Sequence, residues 1–219
     1  MFNGLSRHYV VAWLGLWLLA ACDQSAPVVT TAPLPAGWQT VRQSGLSLAL
    51  PPEWEVLAAE DSSFPGAMDE LVRENPRLET VAEQARTAVA SGEVKLLAFD
   101  LAPEDALPNF TTNLSIGHQQ MDQSVSLRAA VAANERQLRE NGFGEVQSAT
   151  PKLNGVDMGW LSSTLTIQDA AGEPLQLSFE QFIVLAPGQQ HILTFTTSVD
   201  QRERMLPVFE QIVSTFQVL

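Results

Sequence analysis

From residue 37 onward the hydrophobic positions change period several times, and each change marks an element. Leu46, Leu48 and Leu50 alternate with Ser47 and Ala49, the period of a strand with one buried face. Gly37 to Leu50 therefore reads as two short strands turned at Ser44-Gly45. Pro51-Pro52 ends the run, and Trp54 begins another extended piece through Val56 and Leu57. After a polar turn from Glu60 to Ser63 the period becomes helical, over Gly66 to Ser91. Met68, Leu71 and Val72 share one face of a first helix. Pro76 starts a second, with Leu78, Val81, Ala82, Ala85 and Val89 on its buried stripe, because proline suits a first turn and not an interior.

Lys95 to Leu101 and Thr111 to His118 read as strands flanking a loop rich in proline and acid. Ser124 or Ser126 caps a helix running to Asn141, with Leu127, Val131 and Leu138 buried and Asn141-Gly142 as its stop. Val146 to Leu153 is a strand into a turn at Asn154-Gly155. Three long strands follow with short connections, Met158–Gln168, Leu175–Leu185 and His191–Ser198, the pattern of an antiparallel meander. A last helix, Gln201 to Phe216, buries Met205 or Leu206 with Phe209, Ile212, Val213 and Phe216. Strands segregated from helices indicate an α+β fold, a central antiparallel β-sheet with helices packed on its faces.

The first 36 residues follow none of these periods. An apolar run from Val10 to Ala20 succeeds Arg7, the only Lys or Arg among the first forty residues. That is the layout of a secretory signal peptide, and the run falls short of the roughly 20 residues that span a bilayer. Residues 22–36 are mainly Gln, Ser, Thr, Ala, Val and Pro, with Pro27, Pro33 and Pro35 excluding a helix. They read as a flexible tether reaching about 40 Å when extended. Residues 37–219 then form a single domain of about 180 residues, long enough for its own core.

Charge narrows the partners. The chain carries 12 Lys+Arg against 25 Asp+Glu, and removal of residues 1–21 leaves 11 against 25. A surface this acidic, without a basic cluster, excludes nucleic acid as a partner and leaves nothing to dock on anionic lipid electrostatically. The single cysteine, Cys22, rules out an internal disulfide or a cysteine zinc cluster.

Cys22 directly follows Leu19-Ala20-Ala21, and this tetrapeptide resembles the lipobox of bacterial lipoproteins. The resemblance implies cleavage between Ala21 and Cys22 and a diacylglyceryl group on the Cys22 thiol, with an N-acyl chain on its freed amine. No other cofactor is expected. Buried acyl methylenes contribute about 0.8 kcal/mol each, and two or more chains hold a protein at a bilayer. The alternative, a free thiol in an oxidising compartment, is disfavoured. Asp23 resembles the signal that retains lipoproteins in the inner membrane of enteric-type envelopes. The expected location is the extracytoplasmic face of the cell membrane, the inner one in a diderm envelope.

The domain is similar to the PsbP/Mog-like superfamily, including DcrB and LpqN types of lipoprotein. The carrying residues are Gly45-Leu46-Ser47-Leu48-Ala49-Leu50-Pro51-Pro52-Glu53-Trp54, Asn113-Leu114-Ser115-Ile116, Ser126-Leu127 and His191-Ile192-Leu193-Thr194-Phe195-Thr196, with Ile212-Val213-Ser214-Thr215-Phe216 at the end. Glu53 stands where that group has glycine before the tryptophan. The resemblance implies an α-β-α sandwich whose members mostly bind or scaffold.

Candidate chemistry is sparse. His118 and His191, at strand ends far apart in the chain, read as edge residues and supply too few ligands for zinc, so no metal site is expected. No serine stands on a nucleophile elbow, and no phosphate-binding glycine motif occurs; no catalytic residue is assigned. Asp100, Glu104 and Asp105 offer oxygens to calcium, although a solvated acidic loop is the favoured reading. Trp54 and Trp160 read as core in preference to lining a ligand groove. Glu53–Glu74 and Asp100–Asp105 offer an acidic face to a basic partner. The expected function is a non-catalytic, membrane-anchored lipoprotein binding a protein partner or envelope component. The alternative is a small-molecule or metal-ion module serving a transporter or sensor, and an envelope hydrolase ranks last.

Overall fold

The computed structural model describes residues 34–92, 94–102, 107, 109–169 and 172–219. The expected signal peptide with Ala21, the expected anchor Cys22, Asp23 and most of the expected tether lie outside the described residues, as do Glu104 and Asp105.

Strands β1 (Gln39–Gln43) and β2 (Leu46–Leu50) form the expected hairpin. Ser44 and Gly45 both take positive φ, 52° and 75°, as a tight two-residue turn between right-twisted strands requires. Next come β3 (Trp54–Ala58), α1 (Phe64–Glu74), a 3-10 turn at Pro76–Leu78, α2 (Glu79–Ala90), β4 (Val94–Asp100) and β5 (Asn113–Gln120). Helix α3 (Leu127–Glu140) follows, then β6 (Gly144–Ala149), a small hairpin of β7 (Lys152–Leu153) and β8 (Val156–Asp157), and the meander β9 (Gly159–Gln168), β10 (Pro174–Ala186) and β11 (Gln189–Ser198). Helix α4 (Arg202–Ser214) and a short β12 (Gln217–Val218) end the described chain.

Seven strands pair antiparallel in the order β3-β4-β5-β11-β10-β9-β6, and β1, β2 and β12 make a second sheet with β2 central. The fold is α+β, antiparallel sheets with helices on both faces. On one face of the large sheet, α4 and the small sheet cover Leu96, Ala98, Leu114, Ile116, Phe182, Leu193 and Phe195. Phe195 stacks on Phe209 of α4 with ring centroids 4.4 Å apart. Pro207 lies inside α4, and an interior proline costs about 3 kcal/mol. Four buried side chains, Met205, Phe209, Ile212 and Val213, at roughly 1.5–3 kcal/mol each, outweigh it. On the opposite face α1 and α2 cover Leu97 and Phe99, and α3 covers Leu161 and Ile183.

Three expectations change. The strand expected over Val146–Leu153 stops at Ala149, because Pro151 has no N–H for a ladder, and Lys152–Leu153 pairs instead with Val156–Asp157. The last helix ends at Ser214, and Gln217–Val218 pairs with Ser47 and Leu46 of β2. The first helix starts at Phe64 rather than Gly66, with Pro65 in its first turn. No helix among the described residues is long and apolar enough to cross a membrane.

Candidate functional site

Helix α3 is held tightly at one end of the sheet and leaves a groove beside it. Ser126 caps its N-terminus, accepting from the Ala129 N–H at 3.3 Å. Val131 presses on Gly159 so closely that a Cβ there would meet its Cγ2 at 2.4 Å. At the other end Gly142 takes φ 82°; its N–H reaches the Arg139 carbonyl at 3.1 Å and the Phe143 N–H the Leu138 carbonyl at 3.1 Å. This pair of bonds is a Schellman stop, and it turns Phe143 back onto the sheet. There the ring meets Phe179 edge-on at 5.0 Å.

Between α3 and the part of the sheet under α1 and α2 lies a groove of about 330 Å³. Its floor is Ser115 and Gly117 of β5, Ile192 and Thr194 of β11 and Gln181 of β10; α3 contributes Asn134, Gln137, Leu138 and Asn141. His118 borders it, but no Asp, Glu, Lys or Arg lines it, in a chain of net charge −13. Gln181 donates its Nε2 to Thr194 Oγ1 at 3.2 Å, while its buried Oε1 has no partner. Asn134 donates to the Ala130 carbonyl at 2.9 Å. The groove thus offers fixed amides and hydroxyls to a neutral polar group, with Leu138 and Phe143 as apolar walls.

The two histidines, read as unrelated strand ends, stand opposite each other in the β5–β11 register. His191 is 4% exposed. Neither of its ring nitrogens has a partner, nor does Nδ1 of His118. Burial, and secondarily the neighbouring His118, hold the His191 imidazole below the usual histidine pKa. A cavity of about 250 Å³ adjoins both rings.

A third polar cluster is fully paired. Glu180, on β10 under α4, is 0% exposed and receives Arg202 Nε at 2.6 Å, Ser162 Oγ at 2.8 Å, Ser178 Oγ at 3.2 Å and Trp160 Nε1 at 2.9 Å.

Trp54 is core, 2% exposed, and Trp160 spends its N–H on Glu180; neither lines the groove or the histidine cavity. Asp100 departs from the solvated-loop expectation. It is 1% exposed and accepts from the Ala102 N–H at 3.0 Å. Among the described residues no three His, Cys, Asp or Glu side chains gather as a metal cluster. The acidic stretch is partly neutralised from within, by Arg86 on Asp69, Arg73 on Glu70 and Lys95 on Glu60. The groove residues escaped sequence reading, but one signal was available. Asn134 falls on the buried stripe of α3 between Val131 and Leu138, a polar side chain at an otherwise apolar position.

No family model matches the chain, and no curated protein sequence matches it significantly. Solved structures do. Cyanobacterial PsbP (CyanoP) of Synechocystis is 12% identical with a TM-score of 0.49, covering 92% of this chain and 99% of its own. LpqN of Mycobacterium tuberculosis, described as involved in cell envelope biogenesis, is 12% identical with a TM-score of 0.47, over 82% of this chain and 89% of its own. The Ran-binding protein Mog1p of Saccharomyces cerevisiae is 10% identical with a TM-score of 0.47, over 83% and 95%. PsbP and LpqN are types that the sequence resemblance named.

Proposed function

We propose that the chain is a lipoprotein of the extracytoplasmic face, anchored by acyl chains on Cys22 and held at the cytoplasmic membrane by Asp23, whose domain binds a protein partner or envelope component without catalysing a reaction. The observation that carries the binding role is the charge-free groove beside α3, with a buried, unpartnered amide oxygen at Gln181. Buried acceptors are nearly always paired in folded proteins, and a ligand N–H or O–H entering the groove pairs this one. A neutral lining suits peptide amides or sugar hydroxyls and disfavours ionic groups, whose desolvation it does not repay. The anchor rests on Leu19-Ala20-Ala21-Cys22. The binding reading over an enzymatic one is supported by the histidines, whose unpartnered nitrogens hold no hydroxyl as a nucleophile.

Two experiments test the two halves. Palmitate labelling and membrane fractionation of Cys22→Ala should show loss of label and release of the protein; retained label removes the anchor. A photoreactive residue at Gln137, exposed on the groove wall, should capture a defined species in intact cells, and one at exposed Glu70 on α1 should not. Equal capture at both positions, or none at Gln137, defeats the groove.

A further inference from the structure

A second cavity lies on the reverse face of β5 and β11; it shares His118 with the groove's border but has a different lining. His118 and His191 are directly opposed across an antiparallel pair, which sets their Cβ atoms about 4.5–5.5 Å apart on one face. Two imidazoles so placed stand side by side on that face, within reach of one shared ion. Three of their four ring nitrogens are buried and without a partner, and both belonging to His191 are among them. Such an array calls for an atom that is not protein.

The space is available. The adjoining cavity of about 250 Å³ is bordered by Gln120, Gln189, Leu46 and Val218 with the Ser44-Gly45 turn, and a liquid water occupies only about 30 Å³. The side-chain donors on its border are imidazoles and neutral amides, with no Asp or Glu to suit calcium or magnesium. Lys95 also borders the cavity, but its ammonium is ion-paired to Glu60.

We infer that His118 and His191 form a two-histidine site for a divalent transition cation of the zinc and copper class. Neutral imidazole is the characteristic ligand of these ions. Two protein ligands leave coordination positions open to water or to a donor brought by a partner. The site sits between the large sheet and the small one, with the Phe216 ring 5.8 Å from that of His191. Occupancy would therefore pin the β1-β2-β12 sheet against the large sheet.

The test uses the full-length chain without an affinity tag, purified in detergent and stripped with chelator. Its remaining histidine, His8, lies in the leader. Zinc titration by calorimetry should give one equivalent per chain and a rise in Tm. Copper(II) at the same site should give an electron paramagnetic resonance spectrum split by two nitrogens. His118→Gln and His191→Gln should each weaken zinc binding by more than the roughly 10–100-fold typical of second-shell changes. Because His191 is buried, unchanged far-ultraviolet circular dichroism is required of that variant, and His118→Gln, at a half-buried position, carries the test alone where it fails. Absence of stoichiometric binding, or binding that both variants retain, overturns the site and leaves ordered water in the cavity. His118 also borders the groove, so the groove is judged on capture at Gln137 with both histidines intact.

Discussion

The sharpest test of how the α4 face is held together is removal of Arg202 from Glu180. Glu180 is 0% exposed, whereas the Arg202 side chain keeps 32% of its surface in solvent. The two deletions are therefore not equivalent. Arg202→Met strands a buried carboxylate with only three neutral donors, Ser162, Ser178 and Trp160. Breaking a buried pair from one side in this way costs about 3–5 kcal/mol. Glu180→Gln removes the charge, keeps one acceptor oxygen for Arg202, Ser162 and Ser178, loses the acceptor for the Trp160 N–H, and leaves a guanidinium that can turn to water. Its cost is that of a weakened charge-assisted hydrogen bond, about 1.5–3 kcal/mol. In the double variant no unpaired charge remains, so Glu180→Gln should rescue part of the Arg202→Met loss. The order of stability, least first, is Arg202→Met, then the double variant, then Glu180→Gln. Urea unfolding followed by tryptophan fluorescence measures it, with Arg202→Met moving the midpoint by about 2 M for a slope near 2 kcal/mol/M. If the double variant is the least stable of the three, with costs that simply add, the buried charge is not what Arg202 compensates and the reasoning fails.

Gly159→Ala drives a methyl into Val131 and should cost about 1–3 kcal/mol by overpacking, read as a fall in Tm; paired with Val131→Ala, part of the loss should return. Ser126→Ala removes the α3 cap and should cost about 1 kcal/mol in the same melts. Glu135 is held below the ordinary glutamate pKa first by Arg139 and then by Ser148. Its stabilising contribution is therefore present above the unfolded glutamate pKa and lost as pH falls through the lower folded value. A carbon-detected NMR titration should place its midpoint below the ordinary value, and Arg139→Gln should raise it.

The meander, the two-helix segment and the cap at Ser126 were legible because each rests on local rules: period, proline position, a serine before a helix. Burial was not, because alternation reports a buried face only where the other face is wet. Here the large sheet is covered on both sides, and β2 lies between two strands and under α4. Its Ser47 and Ala49 are as buried as Leu46, Leu48 and Leu50. Glu180 likewise sits on the side of β10 that alternation with Leu177 and Phe179 assigns to solvent. The missing knowledge was that Arg202, at the start of a helix more than twenty residues on, would return over it. His118 and His191 show the same limit in another form. Sequence spacing makes them strangers, and only the pairing of β5 with β11, a long-range choice, makes them neighbours.

The same two-sided cover separates the proposed activities in space. Trp38, just before β1, and Val41 within it pack with the α4-side core, on the side of the large sheet that carries the small one. The groove lies on the reverse, between α3 and the α1–α2 pair, where no strand of the small sheet reaches. A ligand seated there competes with neither the lead-in to the domain nor the small sheet. The histidine cavity, by contrast, is walled by the small sheet itself, at Ser44, Gly45 and Val218. An ion there acts on the element nearest the proposed tether, while the groove remains set by α3, its Gly159 contact and its Schellman stop. The groove and the small sheet thus lie on opposite faces of one large sheet, so occupancy of the groove leaves the β1–β2 side of the domain undisturbed.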